Sequence, residues 1–557
     1  MTLTTSPFWV GLILWFLICA KPHLCGQFYD SSAYTECKMK PEAPLYSGGI
    51  IRGVPVSAAP STSDSPANGS SIPAIELHNL TASTIYCFSG WVRIQRGVSS
   101  ALVRARLAAE NTAVSCVGTV VAQRGCWSFL KGGFVLDSPS SHSLLTFQNA
   151  DGSNASLQVT SASLQSFTDQ EWREHQQSNI QTMRKRAVTL HISDGNGGRL
   201  QGAEVRVQQV SNDFPFGSAI TKTILANKLY QDWFKSRFNA AVFEDELKWY
   251  ATEPQQGRPN YTVPDQMLEF VRENQVTTRG HNIFWENPNL TPSWVRKLTG
   301  EELESAVTAR IRSLLSKYKD DFINWDVNNE MLHYDFYEQQ LGHNATQRMF
   351  DLVHQLDPMA TLYMNEFNVI ETCDDSKSTV DAYISRIREL GSGGAAIVGV
   401  GLQGHFSRPN LPLMRGVLDK LATLGLPIWL TEVDISNKID LSTQAVYLEQ
   451  VLREGYSHPA VNGVMLWTAW HATGCYMMCL TDNEFKNLPT GDVVDTVIQE
   501  WQTEDISGQA DDRGTYSFYG FLGEYKVEVK HGNASGSYTF SLNGGHETRH
   551  FSIQLQE

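Results

Sequence analysis

The sequence predicts an α/β protein: a (β/α)8 TIM barrel with an N-terminal β-sandwich module and a small β-sandwich formed by barrel-flanking segments. Three observations predict it. Across residues 214–503, eight short strand-like runs alternate with helical patterns. Residues 46–170 hold alternating runs separated by Gly, Ser and Asn clusters, with few helical signals. Two further period-two segments, 188–210 and 514–555, bracket the middle region. A length of 557 residues, 41% of them hydrophobic, accommodates about three such domains, each with its own core.

The elements follow in chain order. Residues 1–26 read as a secretory signal, because the apolar run 8–20 has the length of such a segment and is too short to cross a bilayer comfortably; a membrane anchor is the alternative, since residues 1–7 carry no Lys or Arg. Cleavage after Gly26 would remove Cys19 and Cys25 from the nine cysteines, leaving seven, so at least one thiol stays free or pairs between chains. Acceptor motifs at Asn68, Asn79, Asn154, Asn260, Asn289, Asn344 and Asn533 fit a glycosylated surface. The β-unit of 46–170 takes its strands from runs such as 83–94, 102–107 and 144–147. Residues 171–187, highly polar and ending in Arg184-Lys185-Arg186, read as a linker or short helix. Residues 188–213 alternate around a Gly-rich turn and predict a β-hairpin that packs with the C-terminal β-region, 504–557. The paired pattern is similar to the transthyretin-like, carboxypeptidase-regulatory-like β-domain, which implies that the barrel is inserted into one such domain.

Within 214–503 the strands are read at 216–220, 239–243, 277–281, 323–327, 361–364, 397–402, 428–430 and 463–466, with helices such as 302–318, 376–390 and 413–424 between them. A doubly wound sheet is the competing fold, but no G-x-G-x-x-G follows the first strand.

Barrel active sites sit at the C-terminal ends of the strands. There the fourth strand ends Trp325-Asp326-Val327-Asn328-Asn329-Glu330 and the seventh Leu430-Thr431-Glu432-Val433-Asp434. Two glutamates on opposite sides of the mouth can flank a glycosidic bond, one as general acid and one as nucleophile. Gln403 and His405 share a face of the sixth strand, as Glu432 and Asp434 share one of the seventh. His405 is therefore expected to bond Glu432 through one ring nitrogen and Asp434 through the other.

Taken with Phe238–Trp249, Arg279–Trp285, Gly401–His405 and Val464–Trp467, these motifs resemble glycoside hydrolase family 10, the endo-β-1,4-xylanases, and especially its plant members. The resemblance implies hydrolysis of internal β-1,4-xylosidic bonds with retention, Glu330 as acid/base and Glu432 as nucleophile, supported by His405, Asp434 and Asn329. Glu244, Asp245, Lys248, His281, Trp285, Gln403 and Trp467 would bind substrate. Retention implies a carboxyl separation of about 5–5.5 Å. Asp245 stands where the family usually has Asn, and Glu286 where many microbial members have His. Cys475 and Cys479 read as a loop disulfide or as reduced thiols.

The 46–170 unit resembles family 22 carbohydrate-binding modules, through Phe88–Arg93 and Gly125–Phe134. In that likeness Trp91 and Trp127 are core or sugar platform alike. A xylan endotransglycosylase and a non-catalytic xylan-binding protein are the rival functions. A cellulase or mannanase is disfavoured by Lys248 and His281. The partner expected is a xylan or xylo-oligosaccharide substrate, and the protein is expected to be a secreted, cell-wall monomer with no membrane association after signal cleavage. No metal and no organic cofactor are expected. A net charge of -15 without a Lys/Arg run argues against nucleic acid.

Overall fold

A computed structural model describes residues 28–51, 57–58, 72–110, 113–392 and 398–556. The expected signal segment with Cys19 and Cys25, the Asn68 acceptor and residue 397 lie outside the described residues. No helix among the described residues is long and apolar enough to cross a membrane.

Eight parallel strands form a closed ring: Phe216–Ile220, Ala240–Phe243, Thr277–Gly280, Asn324–Asp326, Thr361–Glu366, Val398–Leu402, Ile428–Ile435 and Val461–Leu466. Each pairs with its successor, and the eighth returns to the first. Helices cover the ring. Leu411–Ala422 and Leu441–Ser457 begin where Asn410 and Asp440 accept the N–H groups of Leu413 and Thr443, the cap that satisfies an otherwise orphaned donor. Alternate strand residues divide between two cores. One set packs under the helices. The other, Ala219, Ala240, Val242, Tyr363, Trp429 and Met465, fills the ring itself. Small side chains on the first two strands leave room there for Trp429 and for the buried Arg279, whose guanidinium lies 5.5 Å from the Tyr363 ring and 5.7 Å from that of Trp429.

The flanking segments form two facing sheets. Lys185–Ser193 pairs with Thr515–Phe521 and Arg549–Gln554, whereas Glu204–Asn212 pairs with Ile506–Gln509 and Gly523–His531. The expected hairpin of 188–213 is thus corrected: its two strands do not pair with each other but enter opposite sheets, whose inner faces share Val188, Leu190, Val205, Val207, Tyr525 and Val527. Ten residues separate the strands, enough to step between sheets rather than turn within one. Of the two readings of residues 171–187, linker or short helix, the helix is the one that forms. Asp169–Met183 is a helix with a capping box between Thr168 and Glu171, and it buries Trp172, Gln176 and Ile180.

The N-terminal sandwich stacks a five-stranded sheet on a three-stranded one, the latter built from Ser128–Val135, Ile85–Arg96 and Ser156–Phe167. Residues ahead of it cover this second sheet. Cys37 is bonded to Cys126, Lys38 bridges the Trp127 backbone, and Tyr34 packs on Trp91 and Phe129. Trp91 and Trp127 are 1% and 6% exposed, so both are core.

The sandwich is fastened to the barrel. Lys131 pairs with Asp419 at 2.7 Å, with both side chains buried, and Tyr29 donates to the same carboxylate. Gly132 meets Gly416 of the sixth barrel helix so closely that a Cβ on Gly416 would lie 3.1 Å from the Gly132 nitrogen. The disulfide Cys116–Cys373 joins the two domains covalently, Cys475–Cys479 closes the eighth-strand loop, and Cys87 is a buried free thiol.

Candidate active site

At the C-terminal mouth of the ring, the strand ends converge on two carboxyls. Glu330 follows the fourth strand with φ +62°, a left-handed conformation that a non-glycine residue holds only under restraint. The restraints are visible. Its N–H donates to the Asn365 carbonyl, while its own carbonyl accepts the N–H groups of His333 and Tyr334. Its carboxyl is buried and accepts from the Gln403 amide at 3.1 Å. Burial raises its pKa to about 7, the Glu366 and Glu432 charges add to that, and the Gln403 amide and the nearby Trp285 indole oppose it.

Glu432 lies equally deep but titrates in the opposite direction. Burial alone would raise it, yet the His405 contact together with the charges of His281, His405 and Lys248 lowers it to about 2. His405 places Nε2 3.4 Å from Glu432 Oε2 and Nδ1 2.9 Å from Asp434 Oδ1. Burial works against a charged ring there, but the two carboxylates raise its pKa well above the ordinary histidine value. Gln403 connects the two carboxyls: its side chain donates to Glu330 and its backbone carbonyl accepts the Glu432 N–H at 2.8 Å. One group in this pocket holds a proton near neutrality while its neighbour is ionised, the division of labour that a general acid and a nucleophile need.

The other expected residues surround this pair. Asn329, buried beside Glu330, accepts from Asn365 through its Oδ1, which leaves its amide hydrogens as the donors open to a ligand. His281 gives Nδ1 to Asp326 at 2.8 Å and stands 4.0 Å from Glu432. Lys248 Nζ lies 4.7 Å from the Trp285 ring and 5.4 Å from that of Trp467, forming a wall of two indoles with an ammonium between them. Asp245 accepts from Lys248 at 3.0 Å and from Tyr250 at 2.6 Å. At this position the carboxylate thus serves as an acceptor for two donors of its own chain. Glu244 has a buried Oε2 without a partner, and burial followed by the Asp245 charge raises its pKa. Neutral hydroxyl-bearing rings are the ligands that such amides, ammonium and indole faces suit. Glu286, 1% exposed, is turned away from this wall toward the Asn328 amide and the Tyr337 N–H.

Sequence reasoning missed three residues. Asn365, at the end of the fifth strand, donates to both Asn329 and Glu432, the latter at 2.7 Å. Asp326 ties Arg279 to His281. Glu371 accepts the backbone N–H groups of Gly404 and His405. Asn365 and Asp326 could have been found from the rule that strand ends carry the site. No local signal marks Glu371. Among the described residues no cluster of three or more His, Cys, Asp or Glu is arranged to hold a metal ion.

A closed (β/α)8 barrel with paired carboxyls of opposed proton affinity at its C-terminal mouth defines a glycoside hydrolase. Residues 207–476 match the model of glycosyl hydrolase family 10. Endo-1,4-beta-xylanase 5 of Arabidopsis thaliana is 34% identical over 537 residues, covering 93% of this chain and 92% of that protein. Endo-1,4-beta-xylanase 4 of the same plant is 35% identical over 487 residues, covering 86% and 83%. Among solved structures, xylanase 10B from Thermotoga petrophila RKU-1 in complex with xylobiose is 23% identical, covers 52% of this chain and 94% of that one, and has a TM-score of 0.47. The chain belongs to glycosyl hydrolase family 10.

Proposed function

We propose that this protein is an endo-1,4-β-xylanase that hydrolyses internal β-1,4-xylosidic bonds of cell-wall xylan by retaining double displacement. The observation that carries the reading is the opposed proton affinity of Glu330 and Glu432, two buried carboxyls at the C-terminal ends of barrel strands and both linked to Gln403. In the first step Glu432 attacks the anomeric carbon while Glu330 gives its proton to the departing glycosidic oxygen, leaving a xylosyl ester on Glu432. In the second, Glu330, now a carboxylate, takes a proton from water, which attacks the same carbon and releases Glu432. His405 and Asp434 hold Glu432 ionised and oriented, and Asn329 donates to the hydroxyl beside the reacting carbon. Gln403, His281, Lys248, Glu244 and Asp245 bind ring hydroxyls, with Trp285 and Trp467 as apolar walls.

The enzyme is further proposed to be a secreted, glycosylated monomer. The six acceptor asparagines within the described residues, Asn79, Asn154, Asn260, Asn289, Asn344 and Asn533, are all exposed, which favours glycosylation. The test is an assay of the purified chain on xylan, cellulose and mannan beside the Glu432→Ala variant. Turnover of xylan alone, abolished in the variant, is the expected result. Equal activity of the variant would overturn the mechanism.

A further inference from the structure

Behind Glu330 lies a charged cluster that the double displacement does not use. The His333 ring is 9% exposed and has a carboxylate on each nitrogen: Glu366 Oε1 at 2.6 Å from Nδ1 and Asp375 Oδ2 at 2.9 Å from Nε2. Phe367 stacks on it, with ring centroids 3.7 Å apart and planes 10° from parallel. Glu366 also accepts the N–H groups of Leu332 and Phe367, Asn368 donates to Asp375, and Lys377 Nζ donates to the His333 carbonyl. Two anions facing one imidazole from both sides favour the imidazolium, and the pKa of His333 is raised even though burial opposes it. These are the charged groups that face the ring, with Glu330 itself three residues away. Because His333 N–H and Tyr334 N–H both end on the Glu330 carbonyl, anything that fixes His333 fixes the left-handed turn that aims the Glu330 carboxyl.

The outer end of this cluster reaches the N-terminal sandwich. Cys373 is bonded to Cys116, Arg104 donates to the carbonyls of Cys373 and Asp374 at 2.8 Å each, and Arg106 pairs with the Asp374 carboxylate at 2.7 Å. Asp375 is the next residue. The sandwich therefore grips the loop at the residues that immediately precede the one holding His333, while both of its candidate tryptophan platforms are buried.

We propose that Asp375, His333 and Glu366 form a clamp that positions the loop bearing Glu330, and that the sandwich anchors the clamp through residues 373 and 374. These are positioning residues, and the proposal rests on Glu330 being the acid. A misplaced acid hurts departure of a sugar alkoxide, which needs a proton, far more than departure of a dinitrophenolate, which does not.

The full-length chain is assayed on xylohexaose and on 2,4-dinitrophenyl β-xylobioside. His333→Gln and Asp375→Asn are expected to lower kcat/KM on xylohexaose by about tenfold or more, through kcat with KM within about threefold, and to lower kcat/KM on the aryl glycoside several-fold less; kcat/KM is compared because it ends with departure of the leaving group, before Glu330 acts as base on water. The Cys116→Ser/Cys373→Ser double variant is expected to fall the same way by about threefold. Equal losses of kcat/KM on both substrates, or folded variants with unchanged xylohexaose turnover, would overturn the clamp. An unchanged double-serine variant would overturn the anchoring by the sandwich. Should His333→Gln fail to fold, Asp375→Asn decides, since it retains an acceptor oxygen at the loop. Glu330→Ala, assayed alongside, separates the two ideas: a loss of kcat/KM that ignores the leaving group in that variant refutes Glu330 as the acid rather than the clamp.

Discussion

Replacing His405 with Asn tests how the protein keeps Glu432, the proposed nucleophile, ionised although it is buried. The Asn side chain is too short to reach Asp434 and Glu432 together and carries no charge. Glu432 then loses the first of the contacts that hold it at about 2, and its pKa moves back toward the ordinary 4.5. At 1.36 kcal/mol per unit that difference is about 3 kcal/mol, or roughly three hundredfold in proton affinity. Asp434, already pushed upward by burial and with Oδ2 unpartnered, loses the His405 ring that opposes that rise and gives no compensation. The sign follows from the chemistry: Glu432 must be ionised to attack, so a higher pKa moves the acid limb of kcat/KM to higher pH. A pH profile on xylo-oligosaccharide should show a new acid limb at about pH 4–5 in the variant that is absent from the parent. A uniform drop across all pH values, with acid limbs that coincide, would refute this account of how Glu432 is tuned.

Other outcomes follow from the same structure. Because burial lifts Glu330 to about 7, parent activity should decline as pH rises through that value, and Glu330→Gln should abolish this alkaline limb while lowering xylan turnover by about a hundredfold or more. Lys131→Met removes the cation paired with the buried Asp419 carboxylate and leaves two backbone carbonyls without that donor, so denaturant unfolding should show a loss of about 3–5 kcal/mol. Asp419 itself is lowered to about 2, against burial, by Lys131 and His458. A depressed carboxylate stabilises above its unfolded pKa, so Asp419 should account for about 2 kcal/mol of the stability the parent loses as pH falls from about 4 to 2, and Asp419→Asn should lose that much less over the same range.

The barrel was legible because each strand is a short apolar run and each helix carries its own period, both of which are local properties. Glu330, Glu432, Gln403 and His405 were legible because strand-end position and side-chain chemistry coincide in them. Asn365 and Asp326 share the strand-end position, but what ties them to the site is bonding to side chains on other strands, and such pairings exist only once the ring has closed. Glu371 is further removed, as it serves a backbone segment more than thirty residues along the chain. The hairpin reading of 188–213 failed because alternation with a Gly-rich turn describes two strands equally well whether they pair or face each other across a core. The helix Asp169–Met183 buries only Trp172, Gln176 and Ile180, too thin a stripe to stand out from its polar composition, although Thr168-x-x-Glu171 announces its start. The covering of Trp91 and Trp127 depends on a segment before residue 46 held by a disulfide 89 residues long, which no periodicity reveals.

The central claim is that Glu432 becomes covalently xylosylated. An activated 2-deoxy-2-fluoro-xylobioside slows hydrolysis of the glycosyl ester more than its formation, so the intermediate accumulates and peptide mass spectrometry can locate it. The account predicts a single adduct on Glu432, formed by the parent and absent from Glu432→Ala. An adduct on another residue, or none from a preparation that turns over xylan, would contradict it.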